Sequence, residues 1–451
     1  MPPIQCDVAI IGAGTAGLAA ERSAREAGAT TLLIDPQFRG TTCAAVGCMP
    51  SKLLIAAADA AQAVRDAATF GVHATPAIDG PAVLARVRRM RDDFVAATLK
   101  GMEDIPPERL LRATARFTGP TRLITDTGAE IQARSVIIAT GAVSATPKAF
   151  AAVKDHILTN ETVFEIDDLP ASLAVVGAGP VGIELAQAFA RLGVNVALFD
   201  SSGSLAGLDE EDSDRLADIL DSEMAIHRKV DLSARRQDGA AVLKWDGREQ
   251  TFDKILMAAG RPPALEGLDL EAAGLELDDH GVPVFDAETM QCGTAPVFVA
   301  GDANHDRPIL HEATREGELA GRNAARYPDV KSEPRPVSLA VTFTQPNVAQ
   351  VGTAPEGRAL VGLADYGDQG RAKIEGEAYG FARIVADTQG RLCAATLCMS
   401  DGEHIAQFLS LAIAAKMTAR DLLDHPLYHP TLEEGLRGAL SDIAKALDQN
   451  A

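Results

Sequence analysis

Two cysteines stand five positions apart in the stretch Gly40-Thr41-Thr42-Cys43-Ala44-Ala45-Val46-Gly47-Cys48-Met49-Pro50-Ser51-Lys52. A close pair of this kind can sit inert in a core, hold half of a zinc site, or make and break a disulfide. No second CxxC and no cluster of histidines completes a tetrahedral zinc set. Pro50 suits the first turn of a helix, and a helix starting near it places Cys48 at the positive end, where the reactive thiolate is favoured. In a regular helix, Cα atoms five residues apart are roughly 8 to 9 Å from each other, beyond the about 7 Å that a disulfide tolerates. A bridge here therefore requires distortion around Gly47, and a strained bridge is easily reduced.

The same chain carries a control. Cys393 and Cys398 share the spacing, but Leu392-Cys393-Ala394-Ala395-Thr396-Leu397-Cys398 reads as a strand. Its two sulfurs then lie on opposite faces and roughly 16 Å apart, as core thiols. The remaining cysteines, Cys6 and Cys292, are too scattered for a secreted disulfide scaffold.

The elements that must position the pair are announced by a duplication. Cys6–Asp35 and Leu173–Asp200 each read as an apolar strand, a glycine turn, a helix and a second strand ending in aspartate. Gly12, Gly14, Gly17, Gly28 and Asp35 of the first copy match Gly177, Gly179, Gly182, Gly193 and Asp200 of the second, all at one displacement of 165 positions. A lone GxGxxG is a weak signal. Two copies that each follow a strand, open a helix and end in a carboxylate at the fitting distance predict two dinucleotide folds. The first glycine permits the tight turn, the second lets backbone approach a pyrophosphate, and the third lets helix and strand pack closely. The helix N-terminus then holds the phosphates. Asp35 and Asp200 are placed to accept hydrogen bonds from ribose hydroxyls. After Asp200 come Ser201, Ser202, Gly203 and Ser204, with no arginine to clamp a 2′-phosphate, which favours NADH over NADPH.

Between the repeats, a helix is predicted around Val83–Met102 and short alternating strands over Leu110–Ile131. Three buried strands ending at glycine turns are read at Ser135–Gly141, Lys254–Gly260 and Val297–Gly301. Beyond Pro334 and Pro336 the pattern turns to alternating segments with a helix near Glu403–Ala415, an antiparallel α+β domain.

Length and composition agree. The 451 residues allow about three domains. Hydrophobic content of 47% with 23% charged residues is that of a globular chain, and 4% aromatics with the single Trp245 argue against stacking-based recognition. A net charge of −21 opposes nucleic acid and anionic membranes and suits a well-solvated shell, or a basic protein partner. No basic-plus-apolar leader is read before Cys6 and no run of about 18 apolar residues is read elsewhere, which predicts a cytoplasmic protein.

The cysteine stretch resembles the redox loop of the pyridine nucleotide-disulfide oxidoreductases. Ordered motifs extend the resemblance over nearly the whole chain: both glycine turns, Ala139-Thr140-Gly141, Gly260-Arg261-Pro262, Gly301-Asp302, Phe343-Thr344-Gln345-Pro346 and His429-Pro430-Thr431. Within the family, Lys52 and the His-Pro-Thr ending are similar to the dihydrolipoamide dehydrogenase type.

The resemblance implies an α/β protein with two Rossmann-like dinucleotide-binding domains plus a C-terminal α+β dimerisation domain. It divides as 1–145 and 263–331 for FAD, 146–262 for NAD and 332–451 for dimerisation. FAD would be held by Gly12, Gly14, Gly17, Asp35, Thr42, Lys52, Thr140, Gly141, Gly301, Asp302 and His311. NAD would be held by Gly177, Gly179, Gly182, Asp200 and Gly260. Cys48 would face the flavin, Cys43 would exchange with substrate, and Lys52 with Glu184 would form an ion pair beside the flavin.

His429 alone is an ordinary polar residue. In its Pro-Thr context, with Glu434 five residues on, it becomes the general acid-base, an imidazole oriented by a carboxylate. The family supplies it across a twofold interface, implying a homodimer. Two departures, Thr41 for the usual glycine and Leu427-Tyr428 before His429, bear on the substrate. Reductases of other disulfides, a mainly structural role in a 2-oxoacid dehydrogenase complex, and a flavin oxidase with inert cysteines stand beside the main reading. A mercuric reductase is disfavoured because no terminal cysteine pair or metal-binding module is read.

Overall fold

Apolar runs that are continuous rather than alternating form parallel strands covered on both faces. In the computed structural model, which describes residues 2–450, Ile4–Ile11 pairs in parallel with Thr31–Ile34 and with Glu130–Ile138. Val297–Val299 joins Val136–Ile138 and Leu110–Leu111 joins Leu33–Ile34, both in parallel, and the short strands Ala115–Gly119 and Arg122–Thr125 add an antiparallel pair, making seven strands. Val8, Ile10, Val136, Ile137 and Phe298 have no exposed surface.

This sheet belongs to one compact unit, Met1–Leu53, Ala85–Ala145 and Gly260–Arg335. Helices Thr15–Glu26 and Leu310–Arg326 pack together in it through small residues. A Cβ on Gly317 would lie 2.2 Å from the Ala16 carbonyl oxygen, and one on Gly321 2.4 Å from that of Ala20.

The second unit is Leu54–Leu84, Thr146–Ala259 and Pro336–Ala451. Its five-stranded parallel sheet runs in the order Ala225–Arg228, Asn195–Asp200, Ser172–Val176, Lys254–Met257, Ile157–Leu158. A three-stranded antiparallel sheet spans Ser233–Phe252. The C-terminal part is a five-stranded antiparallel sheet, with Leu339–Thr342 and Leu360–Asp365 at its edges. Helices Gly402–Ala414 and Arg437–Asn450 cover it, burying Ile405, Leu409, Leu440 and Ile443.

The expected α/β architecture, two dinucleotide folds and a C-terminal α+β domain, is what forms. Among the described residues the helical run Thr42–Phe70 is long and apolar enough, by length and mean composition, to cross a membrane, but Lys52, Asp59, Arg65 and Asp66 interrupt it, so it holds no unbroken run of about 18 apolar residues.

Candidate active site

The cysteine loop is two helices joined by a break. Thr41 caps the short helix Thr42–Val46, its Oγ1 accepting from the Ala44 amide at 3.2 Å. Gly47, at φ −125° and ψ −115°, interrupts the run, and helix Cys48–Asp66 begins directly after it. The helix thus starts two residues earlier than Pro50 suggested, making Cys48 its first residue. A Cβ on Gly47 would lie 2.9 Å from the Thr42 carbonyl oxygen, so the break needs glycine.

Cys43 is half-buried, Cys48 exposed, and both are thiols. A hydrogen bond with Cys48, then burial, then the charge of Cys48 push the Cys43 thiol well up, while Lys52 pulls it down. Cys393 and Cys398 occupy the strand Leu392–Met399 as expected, but only Cys398 is buried; Cys393 is half-buried, because alternation turns it to the other face.

The two glycine turns are superimposable in their bonding. Gly12 has φ +105° and Gly177 +103°, and a Cβ on either would lie 2.3 Å from a carbonyl oxygen of the neighbouring strand end, Ala139 or Ala258. A Cβ on Gly17 or Gly182 would lie 1.9 Å from the carbonyl oxygen of Gly12 or Gly177. Gly14 and Gly179 face open space, the room a pyrophosphate requires. The aspartates also do something not read from the sequence. Asp35 accepts from the amides of Ala13, Gln37 and Phe38, and Asp200 from those of Ala178, Ser202 and Gly203. Each carboxylate therefore ties the glycine turn to the end of the second strand.

Thr140 Oγ1 is buried beside the Gly12 turn with no partner among the described residues, an acceptor and donor left for a bound group. With the open face at Gly14, it makes the first turn fit the FAD that the motifs imply. Gly141 and Gly301 both adopt positive φ, and His311 is exposed in the first turn of helix Leu310–Arg326. Asp302 pairs with Arg261 at 3.2 Å, and Arg261 also donates to the Ala142 carbonyl. That arginine sits in the Gly260-Arg261-Pro262 motif but had no role assigned to it. Thr42 is exposed and Lys52 half-buried on the cysteine helices.

Glu184 is 4% exposed and accepts from the Phe343 amide at 2.7 Å. In the C-terminal part, both oxygens of Glu434 lie 3.0 Å from His429 Nδ1. A carboxylate at this contact accepts a hydrogen bond from the Nδ1 proton, which turns Nε2 away from Glu434. The segment is held by Tyr366, whose hydroxyl donates to the Leu432 carbonyl, and by Gln369, which donates to that of Thr431. The imidazole is 79% exposed in the single chain.

Comparison with known proteins agrees with this geometry. Residues 6–317 match the profile of the pyridine nucleotide-disulphide oxidoreductases and residues 338–440 that of the family's dimerisation domain. A dihydrolipoyl dehydrogenase of Thermus scotoductus is 33% identical, with 97% of each chain covered. A mercuric reductase of Streptomyces lividans is 30% identical, again over 97% of each. The solved HOCl-induced flavoprotein disulfide reductase RclA of Escherichia coli shares the fold, with a TM-score of 0.81 at 20% identity over 96% of this chain and 99% of that one. The two profiles together span most of the chain, so the chain belongs to the pyridine nucleotide-disulphide oxidoreductase family, whose enzymes use FAD and a nicotinamide nucleotide.

Proposed function

We propose that the chain is an FAD-dependent dithiol/disulfide oxidoreductase of the dihydrolipoamide dehydrogenase type, oxidising dihydrolipoamide with NAD in the cytoplasm. The observation that carries this reading is the pairing of a base-ready histidine, His429 on Glu434, with a cysteine pair split by the Gly47 break.

FAD would be held by the first glycine turn with Asp35, by Thr42, Lys52, Thr140, Gly141, Gly301, Asp302 and His311. NAD would be held by Gly177, Gly179, Gly182, Asp200 and Gly260. When bound, FAD supplies the two-electron relay between the cysteines and the nicotinamide. The domain limits follow: 1–145 with 263–331, 146–262, and 332–451. In the homodimer, His429 of one protomer serves the cysteines of the other, which accounts for its exposure in the isolated chain.

His429 Nε2 takes a proton from the substrate dithiol, and the resulting thiolate attacks Cys43 Sγ, breaking the Cys43–Cys48 bond. Cys48 leaves as a thiolate at the helix N-terminus, which stabilises it. The second substrate thiol displaces Cys43 from the mixed disulfide, and its proton passes to the departing Cys43 sulfur. The substrate departs as a cyclic disulfide and both cysteines are reduced. Glu184 and Lys52 would set the charge beside a bound flavin.

A second reading, reduction of a different disulfide with NADH, is favoured by Tyr428, which is 82% exposed beside His429. Turnover of NADH with lipoamide, glutathione disulfide and other disulfides, measured side by side, separates the two. Cys48→Ser is expected to lower dithiol turnover on the order of a thousandfold or more while FAD stays bound. Retained turnover would refute the cysteine assignment.

A further inference from the structure

Beneath the Gly301–Asn304 turn lies a buried polar cluster that the mechanism does not use. Glu316, 2% exposed on helix Leu310–Arg326, directs Oε2 at two donors: the Gly301 amide at 2.8 Å and the Asn304 side-chain amide at 2.7 Å. Its other oxygen pairs with Arg335, which also engages Asp306. Asn304 in turn accepts from the Asp306 amide. One carboxylate thus holds Gly301 and Asn304 directly and Asp306 through Arg335, three points of the turn that carries Asp302. The next residue, Gly317, lies against the Ala16 carbonyl of the first glycine-turn helix, and a Cβ on Gly301 would meet that of Ala16 at 2.9 Å. The turn and the helix N-terminus are therefore fixed by the same stretch of helix.

We infer that Glu316 is a positioning residue for FAD, holding the Gly301–Asp302 turn at the height where Asp302 meets the ribitol chain. This rests on the reading of Asp302 given above. A carboxylate is suited to the task because a single oxygen accepts from both turn donors while the second occupies the arginine. An apolar side chain of similar size would strand two buried donors.

The test follows FAD release from the holoenzyme by fluorescence and the shape of the bound flavin's visible absorption band. Glu316→Leu is expected to weaken FAD retention about tenfold or more and to alter the band. Glu316→Gln keeps one acceptor at the turn and is expected to recover most of the loss, a rescue that space-filling alone would not distinguish from leucine. Asn304→Ala, which removes one of the two turn donors, is expected to give an intermediate effect and decides the matter should the leucine variant fail to fold. Equal retention in the leucine and glutamine variants, or no effect of Asn304→Ala in that event, would overturn the inference. Asp302→Ala separates the two levels. If it leaves FAD retention unchanged, the ribitol reading fails. If it weakens FAD while the Glu316 and Asn304 variants do not, only the role of Glu316 falls.

Discussion

The two glycine-turn halves share their backbone and differ in what their helices face. In both, the first glycine amide donates at 2.8 Å to the carbonyl just before the aspartate, Ile34 or Phe199, and the aspartate accepts from the residue after that glycine at 3.1 Å. The helices then diverge. Thr15–Glu26 buries alanines, Ala16 and Ala20, against glycines, so its backbone comes within contact of another helix. Pro180–Arg191 instead lines up Glu184, Gln187 and Arg191, all buried, where the first helix has Ala19, Arg22 and Glu26.

Arg191, 5% exposed, forks onto both oxygens of Glu223 at 2.7 and 2.9 Å. It also donates to Asp59 and Gln345, each at 2.9 Å, while Gln187 bonds Glu223 and the Gln345 backbone. One supersecondary unit is thus used twice, once with a close-packed seam and once with a polar one. The glycine turn depends on local sequence, whereas the outer helix face is free to serve whatever packs on it.

The largest expected effect breaks the polar seam. Arg191→Ala leaves Glu223 and Asp59 without their shared cation and is expected to cost about 3 kcal/mol in a urea unfolding titration. Its counterpart Glu26→Ala, on an exposed position, is expected to change stability by less than about 0.5 kcal/mol. Equal effects would mean that the two helices are used alike.

The shared turn can be tested by placing a methyl where neither copy has room. Gly17→Ala and Gly182→Ala each force a Cβ to within 1.9 Å of a backbone oxygen, a cost of about 1–3 kcal/mol or, at a binding turn, roughly five- to a hundredfold in affinity. Gly17→Ala is expected to reduce the FAD content of the purified protein. Gly182→Ala is expected to raise the KM for NAD with FAD content unchanged. The opposite pattern would invert the assignment of the two halves.

The smallest effect concerns the one carboxylate bond the halves do not share, the Ser202 hydroxyl donating to Asp200 at 2.7 Å. Burial raises the Asp200 pKa, but that hydroxyl and the Ala178, Gly203 and Ser202 amides outweigh it and hold the carboxyl below 3.8. A depressed carboxyl stabilises the fold fully above its unfolded value of 3.8, and the contribution disappears as pH falls through the lower folded value. Unfolding free energy measured from pH 5 to pH 3 should therefore fall more steeply in the parent protein than in Asp200→Asn. Parallel slopes would show that these bonds contribute nothing measurable.

The duplication, the strands ending at Ile11, Ile138, Val176 and Met257, and the cysteine break at Gly47 were all legible, because each depends on residues close in the chain. Glycine where a Cβ cannot fit and apolar runs where both faces are covered leave marks at fixed spacing. The contact of His429 with Glu434, five residues apart, was legible for the same reason. The helix start at Cys48 rather than Pro50 was missed, since Gly47 ends one helix and admits the next without a coil residue between them.

Glu316, Arg191 and Arg261 left no such mark. On a sequence, a glutamate on an amphipathic helix and an arginine at a helix end look like solvated surface, and only partners such as Gly301, Glu223 and Asp302, distant in the chain, turn them into anchors, Glu316 and Arg191 buried and Arg261 half-buried. The sequence by itself determined which backbone turns can approach a phosphate and which sulfurs can meet, because sterics and spacing are local properties. Tertiary structure decided which charges are buried and whom they hold, because desolvation depends on what the rest of the chain brings to cover them.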